Sequence, residues 1–271
     1  MLFFEILRSA LRALSGNRLR TALTTLGMII GVAAVVAMLA LGEGAQASVE
    51  NQIRELGANV LTVRPGAPRR GPVKTGRVET LVLEDAEAIE GLPNVVAVAP
   101  ESSGSAQVEF LANNMSASII GSTPEYLEVR SFDVEQGVAF TDRDVQSRRR
   151  VALLGANVAT ELFGNLSPLG QRVQIKGIAF TVVGVLMPKG DTGFTSLDDQ
   201  VIVPLSTHQN ILFGQDHLST ISVMTTSEET MDSVQAGIEQ LLRLRHRIRA
   251  GADDDFHVRS QTAMLETMSE V

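Results

Sequence analysis

From Thr21 to Leu41 the chain carries no charged residue, and Arg18 and Arg20 stand immediately before this run. Its 21 residues match the roughly 20 helical residues needed to cross a hydrocarbon core of about 30 Å. A buried soluble helix of this length would normally carry charges on one face. A cleaved leader is the other alternative, because "AQA" at Ala45–Ala47 has a small-x-small form. The run, however, exceeds the ~7–15 apolar residues of a signal sequence, and twenty residues precede it. The pattern therefore favours an uncleaved membrane anchor. Beyond Leu41 the stripe Ala45, Val49, Ile53 and Leu56 continues at helical spacing, and Gly57 is a natural stop. A helix from Thr21 to Leu56 would be about 54 Å long, reaching ~20 Å past the membrane core as a stalk. Gly42 and Gly44 are its expected bending points. Within the span, Gly27 and Gly31 form a GxxxG that Ala34 extends, a small-residue face that lets partner helices approach closely.

Before the span, residues 1–16 place Phe3, Phe4, Leu7, Leu11 and Leu14 at helical spacing, away from Glu5, Arg8 and Arg12. Two readings fit this amphipathic helix: one lying on membrane lipid with its arginines toward phosphates, and one packed on another subunit.

After the stalk the period changes from helical to alternating. Asn59–Gly66 reads as a strand, Pro65–Gly76 as a Pro/Gly/basic loop, Glu84–Glu90 as a helix stopped by Gly91 and Pro93, and Asn94–Pro100 as a strand. The β-α-β order returns near the end. Leu218–Thr226 is a strand, and Thr226 with Glu229 forms a capping box. A helix then carries Met231, Val234, Ile238, Leu241 and Ile248, and Asp255–Ser260 closes as a strand. Two such units pair naturally into a split βαβ, ferredoxin-like sandwich. The interval between them is rich in strands. It holds a hairpin signalled by Asn113-Asn114, a buried strand in "RRVALLG", and a short helix ending at Gly164. A hairpin turned at Lys176-Gly177 and the strand "DQVIVPLS" follow. The chain closes with Met264, Leu265, Met268 and Val271 on one helical face, the expected start of a second stalk helix.

Charge adds direction. Arg8, Arg12, Arg18 and Arg20 against Glu5 make the first 41 residues +3, and the total is −8, so the other 230 carry −11. Arginines before the span, and Glu43, Glu50 and Glu55 with only Arg54 after it, put the N-terminus in the cytoplasm and the body outside. In a Gram-negative cell that is the periplasm. An acidic body with 4% aromatics argues against nucleic acid as a partner. The absence of cysteine excludes disulfides, thiolate zinc sites and a cysteine nucleophile.

Motifs of catalysis and cofactor binding fail on inspection. "GAPRRGPVKT" lacks the adjacent Gly-Lys of a phosphate loop, and Pro72 has no N–H to offer a phosphate. "GEGAQA" at Gly42–Ala47 follows a membrane helix rather than a strand. His208, His217, His246 and His257 show no metal spacing. "ADDDF" (Ala252–Phe256) reads as a solvated turn rather than a calcium loop, and basic "RLRHRIR" (Arg243–Arg249) as a solvated helix end. No cofactor and no metal is expected, and no catalytic residue is identified. Phe194–Gln200 reads as an exposed loop suited to partner contact.

Taken in order, "NRLRTALTTLGMIIGVAAVVAMLALGEGAQ", "ELGANVLTVRPG", "VAVAP", "VALLGANVATELFGNLSPLGQRVQIKGIAFTVVGVLMPKG" and "DDQVIVPLS" resemble the MacB-like permeases of ABC transporters, in the FtsX-like superfamily. The resemblance covers nearly the whole chain. It implies an α+β protein with one N-terminal transmembrane helix extending into a stalk. A ferredoxin-like, porter-type subdomain (57–106 and 217–260) would follow, with a β-rich Sabre-type subdomain (107–216) inserted. Residues 1–16 would be a cytoplasmic helix, 17–56 the span and stalk, and 261–271 the start of a second stalk. It further implies an inner-membrane permease portion that couples ATP hydrolysis by a separate ABC ATPase subunit to a periplasmic conformational change. A second permease copy, membrane lipid, a periplasmic adaptor and an outer-membrane channel would be its partners. Against the family pattern the sequence shows no ATPase domain before the first span and no later spans, so the expectation is the first part of a stand-alone permease subunit, as an excised piece or a truncated reading frame. The alternative implied by the same superfamily is an FtsX-type signalling protein controlling a periplasmic partner.

Overall fold

The structure is a computed structural model that describes residues 4–6, 8, 18–55, 59–66, 79–190 and 197–260. Arg12, Leu56, the basic loop beyond Gly66, the start of the 194–200 loop and the second stalk at 261–271 lie outside the described residues, as does most of the 1–16 helix. The chain divides into two compact units, Met1–Arg54 and Glu55–Val271.

In the first unit, α1 (Arg18–Glu55) is one continuous helix of 38 residues. It starts three residues before the expected Thr21 and passes Gly42 and Gly44 without interruption. Neither glycine breaks it, since a helical glycine costs only about 1 kcal/mol against alanine. Residues 4–6 and 8 are also helical.

The second unit begins with β1 (Val60–Pro65), α2 (Leu83–Glu90), β2 (Val95–Phe110), β3 (Asn113–Ser122), α3 (Glu125–Val129), β4 (Val134–Gly137) and α4 (Asp142–Gln146). It continues with β5 (Val151–Leu154), α5 (Ala156–Phe163), β6 (Arg172–Ile175), β7 (Ile178–Leu186) and β8 (Gln200–Pro204). The short helix α6 (Leu205–Thr207) then runs into a π-helical turn at His208–Phe213, before β9 (Thr220–Thr225), α7 (Met231–Arg245) and β10 (Phe256–Ser260).

Four strands align as β10-β1-β9-β2, and every neighbouring pair is antiparallel. Alternation explains their faces. Leu61 and Val63 of β1 and Phe256 of β10 turn to one side, where they bury with Ala86 and Ile89 of α2 and Met231, Val234, Ile238 and Leu242 of α7. Each large side chain among them contributes roughly 1.5–3 kcal/mol on burial. Thr62, Arg64, His257 and Arg259 turn to the other side.

β2 is the structural surprise. The sequence suggests a strand ending at Pro100 and another after residue 106, but β2 runs unbroken for 16 residues. Val95–Glu101 pair with β9, and from Ser102 onward the strand pairs with β3. The ladder then passes from β3 to β8, β5 and β7, and β6 joins β7 back to β2 through Val108↔Ile175 and Glu109↔Gln174. The six strands β2-β3-β8-β5-β7-β6 thus close a circuit, with β4 added outside β7. Inside it, Val108, Ile119, Leu154, Val173, Phe180, Val182 and Val201 bury with Val158, Leu162 and Phe163 of α5. Closure leaves no open edge among these six strands.

Local turns show which signals won. Lys176 (φ 51°) and Gly177 (φ 76°) join β6 to β7, as the two positive φ values of a type I′ hairpin require. The first hairpin departs from expectation. It turns at Leu111 and Ala112, with Phe110 paired to Asn113, not at Asn113-Asn114. Leu111 takes φ 54° and is 87% exposed. Asn113 is drawn off the turn because its side-chain amide donates to the Leu162 carbonyl in the last turn of α5, at 2.9 Å. The capping box is also displaced: the backbone N–H of Ser227, not Thr226, donates to the side chain of Thr230, not Glu229, through a 3-10 turn at Glu228–Thr230.

Candidate membrane helix and polar clusters

Leu19–Gly42 is a 24-residue stretch whose most apolar 18 residues have a mean hydropathy of 2.3, and none of those is buried within the protein. The helix places Gly27, Gly31 and Ala34 along one exposed face. A Cβ added at Gly27 or Gly31 would touch nothing within 4 Å, so none of the described residues fills the groove they leave. The hydroxyls of Thr24 and Thr25 donate back to the Arg20 and Thr21 carbonyls at 2.8 and 2.5 Å. This satisfies two polar groups that an apolar medium would leave bare. Arg8 and Arg20 are exposed, and Arg18 is the first residue of the helix. Ala45, Val49 and Ile53 lie in its second half at four-residue spacing.

In the body, charged groups gather at three places. At the junction of the two strand systems, Arg130, just after α3, meets Glu101, the last β2 residue paired to β9. Nε and Nη2 of Arg130 donate to Oε1 at 3.2 and 3.0 Å, and Nη2 also to Oε2 at 3.1 Å. Ser222 of β9 donates to the same Oε1 at 2.5 Å. Burial works against the Arg130 cation, but the adjacent carboxylate more than offsets it and holds its pKa above the usual value. The Tyr126 hydroxyl beneath is pushed up by burial and by the Glu101 charge.

The second cluster ties α2 to the end of α7. Asp85 accepts from Arg245 Nε at 2.7 Å and from the Val82 N–H at 3.1 Å. His246 faces it with Nε2 at 3.2 Å and faces Asp255 with Nδ1 at 2.8 Å. The ring stands edge-on to Phe256. Burial opposes the imidazolium, yet hydrogen bonds to Asp255 and Asp85 outweigh it and raise the His246 pKa. Burial likewise opposes the Asp85 carboxylate, and Arg245, the Val82 N–H and His246 more than compensate and lower its pKa. Arg243 also pairs with Asp254. The basic run and the acidic turn that read as solvated separately are therefore held together in this structure. The signal was present in their opposite charges but not in their spacing, since only the β10 connection brings Asp254 and Asp255 back to α7.

The third place is the π-helical turn. His208 is buried and stacks on Phe213 at 4.5 Å, and among the described residues neither ring nitrogen has a partner at hydrogen-bond geometry. Burial pushes its pKa down to about 4. Gly121 and Gly104 make this packing possible, because a Cβ on either would collide with His208 or Phe213. Elsewhere, Asp198 accepts from the Lys189 and Gly190 N–H groups at 2.9 Å, and Asp144 accepts from the Thr141 N–H at 2.8 Å and from Arg149 at 2.7 Å. These bonds fix loop ends. Among the described residues no group of three or more His, Asp or Glu side chains is placed to hold a metal ion.

Against known proteins, the model of the MacB-like periplasmic core domain matches residues 21–241. A macrolide export ATP-binding/permease protein MacB from Azoarcus sp. (strain BH72) is 40% identical over 267 residues, covering 98% of this chain and 40% of that protein. The one from Chlorobaculum tepidum is 36% identical over 263 residues, covering 96% and 40%. The chain thus spans about two-fifths of the length of these relatives. Among solved structures, the periplasmic region of MacB from Actinobacillus actinomycetemcomitans superposes with a TM-score of 0.68 at 21% identity, over 83% of this chain and 99% of that one. The extracellular domain of the noncanonic ABC-type transporter YknZ from Gram-positive bacteria gives 0.62 at 24% identity, over 74% and 100%. Both share the fold of the second unit.

Proposed function

The chain belongs to the MacB-like periplasmic core domain family, and on that premise we propose that it is the first membrane span and extracytoplasmic domain of an ABC-type efflux permease. One observation carries the reading: a fully exposed apolar span continues as a single helix to Glu55, and β1 starts at Val60. Only the four residues 56–59 separate that helix from the first strand of the sheet. In this reading ATP hydrolysis on a separate cytoplasmic subunit moves the span, and the helix carries the motion to the outer domain. The chain itself does no chemistry.

The remaining parts take roles accordingly. The antiparallel set β10-β1-β9-β2 with α2 and α7 is the ferredoxin-like, porter-type subdomain, and the closed circuit is the Sabre-type one. Arg8, Arg12, Arg18 and Arg20 keep the N-terminus in the cytoplasm of an inner-membrane protein. Gly27, Gly31 and Ala34 receive a neighbouring span, from this permease or a second copy. Ala45, Val49, Ile53 and Leu56 form the face by which this stalk packs on another. A periplasmic adaptor and an outer-membrane channel complete the path. The relatives are named for macrolide export, which favours transport over signalling to a periplasmic hydrolase.

The test is accumulation of a labelled macrolide in cells lacking this gene, with and without the gene restored. Increased accumulation reversed by the restored gene, and not by a Gly27→Leu/Gly31→Leu form, is the expected result. Unchanged accumulation would remove the macrolide reading.

A further inference from the structure

The face of the antiparallel sheet turned away from α2 and α7 carries a cationic cavity. It has a volume of about 280 Å³ and is lined by Thr62, Arg64, Arg130, His257 and Arg259, beside Pro65 and Ser260. The strand register explains the gathering. β1 and β10 pair so that Thr62 stands opposite Arg259 and Arg64 opposite His257. Alternation puts all four on one face, and Arg64 and Arg259 become diagonal neighbours.

Such an arrangement is costly unless something answers it. Like charges across a strand pair repel, and here the body around them carries −11, so a scattered placement of arginine would be expected to find carboxylates. Among the described residues neither Arg64 nor Arg259 has an acidic partner within 4.0 Å. Arg130, most of whose side chain is buried, spends Nε and Nη2 on Glu101, while Nη1 makes none of those bonds. Glu101 answers Arg130 and Ser222, and among the described residues neither Arg64 nor Arg259 comes within 4.0 Å of its carboxylate. The His257 ring lies against Gly66, where an added Cβ would stand 2.6 Å from its Nε2.

We propose that this cavity is a binding site for a small phosphate-class oxyanion, gripped by Arg64 and Arg259 and completed by Arg130, His257 and Thr62. Guanidinium forks match the paired oxygens of such anions, and the hydroxyl of Thr62 supplies a neutral donor. The volume admits a phosphate with a short substituent. The group is either free or the headgroup of a lipid. The site is independent of what the protein transports.

The test titrates the full chain in an uncharged detergent with inorganic phosphate and, separately, with dispersed dihexanoyl phosphatidic acid, by calorimetry. Binding of phosphate itself identifies a free anion as sufficient. Binding of the lipid alone identifies a headgroup as the source. In either case Arg64→Gln/Arg259→Gln should weaken binding at least about tenfold, while Arg172→Gln, an exposed arginine on β6, should leave it unchanged. Both altered arginines are exposed, and an unchanged far-UV circular dichroism spectrum checks that the fold is kept. Equal binding by the double variant and the parent would overturn the site, as would no binding of either probe up to about 10 mM.

Discussion

Replacing His246 by alanine should destabilise the body in a way that depends on pH. The imidazole sits between two carboxylates, with Asp85 on one nitrogen and Asp255 on the other, and its side chain is only 10% exposed. The charged ring donates two charge-assisted hydrogen bonds, worth ~1.5 kcal/mol each or more net. Asp85 keeps Arg245 and the Val82 N–H after the substitution, which limits the damage on that side. The expected loss is about 2–3 kcal/mol near pH 5.5. The sign follows from the two displaced groups. The folded pKa of His246 is raised, so its contribution is complete below the unfolded value of about 6.5 and fades as pH rises through the folded one. The folded pKa of Asp85 is lowered, so its contribution is complete above the unfolded value of about 3.9 and fades as pH falls through the folded one. Between these limits the cluster is at full strength. Near pH 9 a neutral ring donates only once, and the difference between parent and variant should shrink to about 1 kcal/mol. Urea titrations of the full chain in detergent, followed by far-UV circular dichroism at both pH values, measure it. A loss of the same size at pH 5.5 and pH 9 would show that His246 acts by packing on Phe256 and not by charge.

Ile238→Ala, at the buried face of α7, should cost about 2–5 kcal/mol by the same titration, whereas Leu244→Ala, 78% exposed on the same helix, should stay within about 0.5 kcal/mol. Gly121→Ala should cost about 1–3 kcal/mol or more, since the new methyl meets the His208 Cβ and the π-helical turn must move. Lys176 donates from Nζ to the Leu212 carbonyl in that turn at 2.8 Å, so a faster tryptic cleavage after Lys176 would report the movement. Gly27→Leu/Gly31→Leu should leave the far-UV spectrum unchanged, because none of the described residues would meet a side chain at either glycine. It should abolish disulfide crosslinking between a cysteine introduced at Ala34 and one introduced in a neighbouring span, and persistent crosslinking would move the contact face elsewhere. The chain has no native cysteine, so Ser9→Cys and Ser147→Cys give single labels. An impermeant maleimide should reach only the second in intact spheroplasts, and labelling at Ser9 would reverse the orientation.

Elements whose own residues carry their signal were legible. The span declares itself by 21 uncharged residues, the Lys176-Gly177 turn by its φ requirements, and α7 by Met231, Val234 and Ile238. What escaped depends on partners distant in sequence. The unbroken β2 could not be read because Glu101, Ser102 and Ser103 look like the end of a strand. They stay extended because β9 and β3 bond to them and Arg130 and Ser222 answer the buried carboxylate. The short helix α3 and strand β4 carry too few residues for a period to show. The π-helical turn is imposed by packing on Gly104 and Gly121, two glycines that read locally as ordinary strand residues. The cationic cavity was equally hidden, because Arg64 and Arg259 meet only through the β1–β10 register.

That register has a consequence for the order in which the protein assembles. Leu61 finds its β10 partner only at Ser260, while every strand of the closed circuit lies between Val95 and Pro204. A chain emerging N-terminus first can therefore complete the inserted circuit while β1 still lacks both of its neighbours. Long-range pairing of this kind is slow, because loop closure precedes any gain. During the wait, Leu61 and Val63 present an apolar strand with two open edges next to a membrane anchor. The segment from β9 through β10, Thr220–Ser260, is thus the timing element of folding. Lesions there should delay maturation and expose β1 to aggregation even where the finished structure tolerates them.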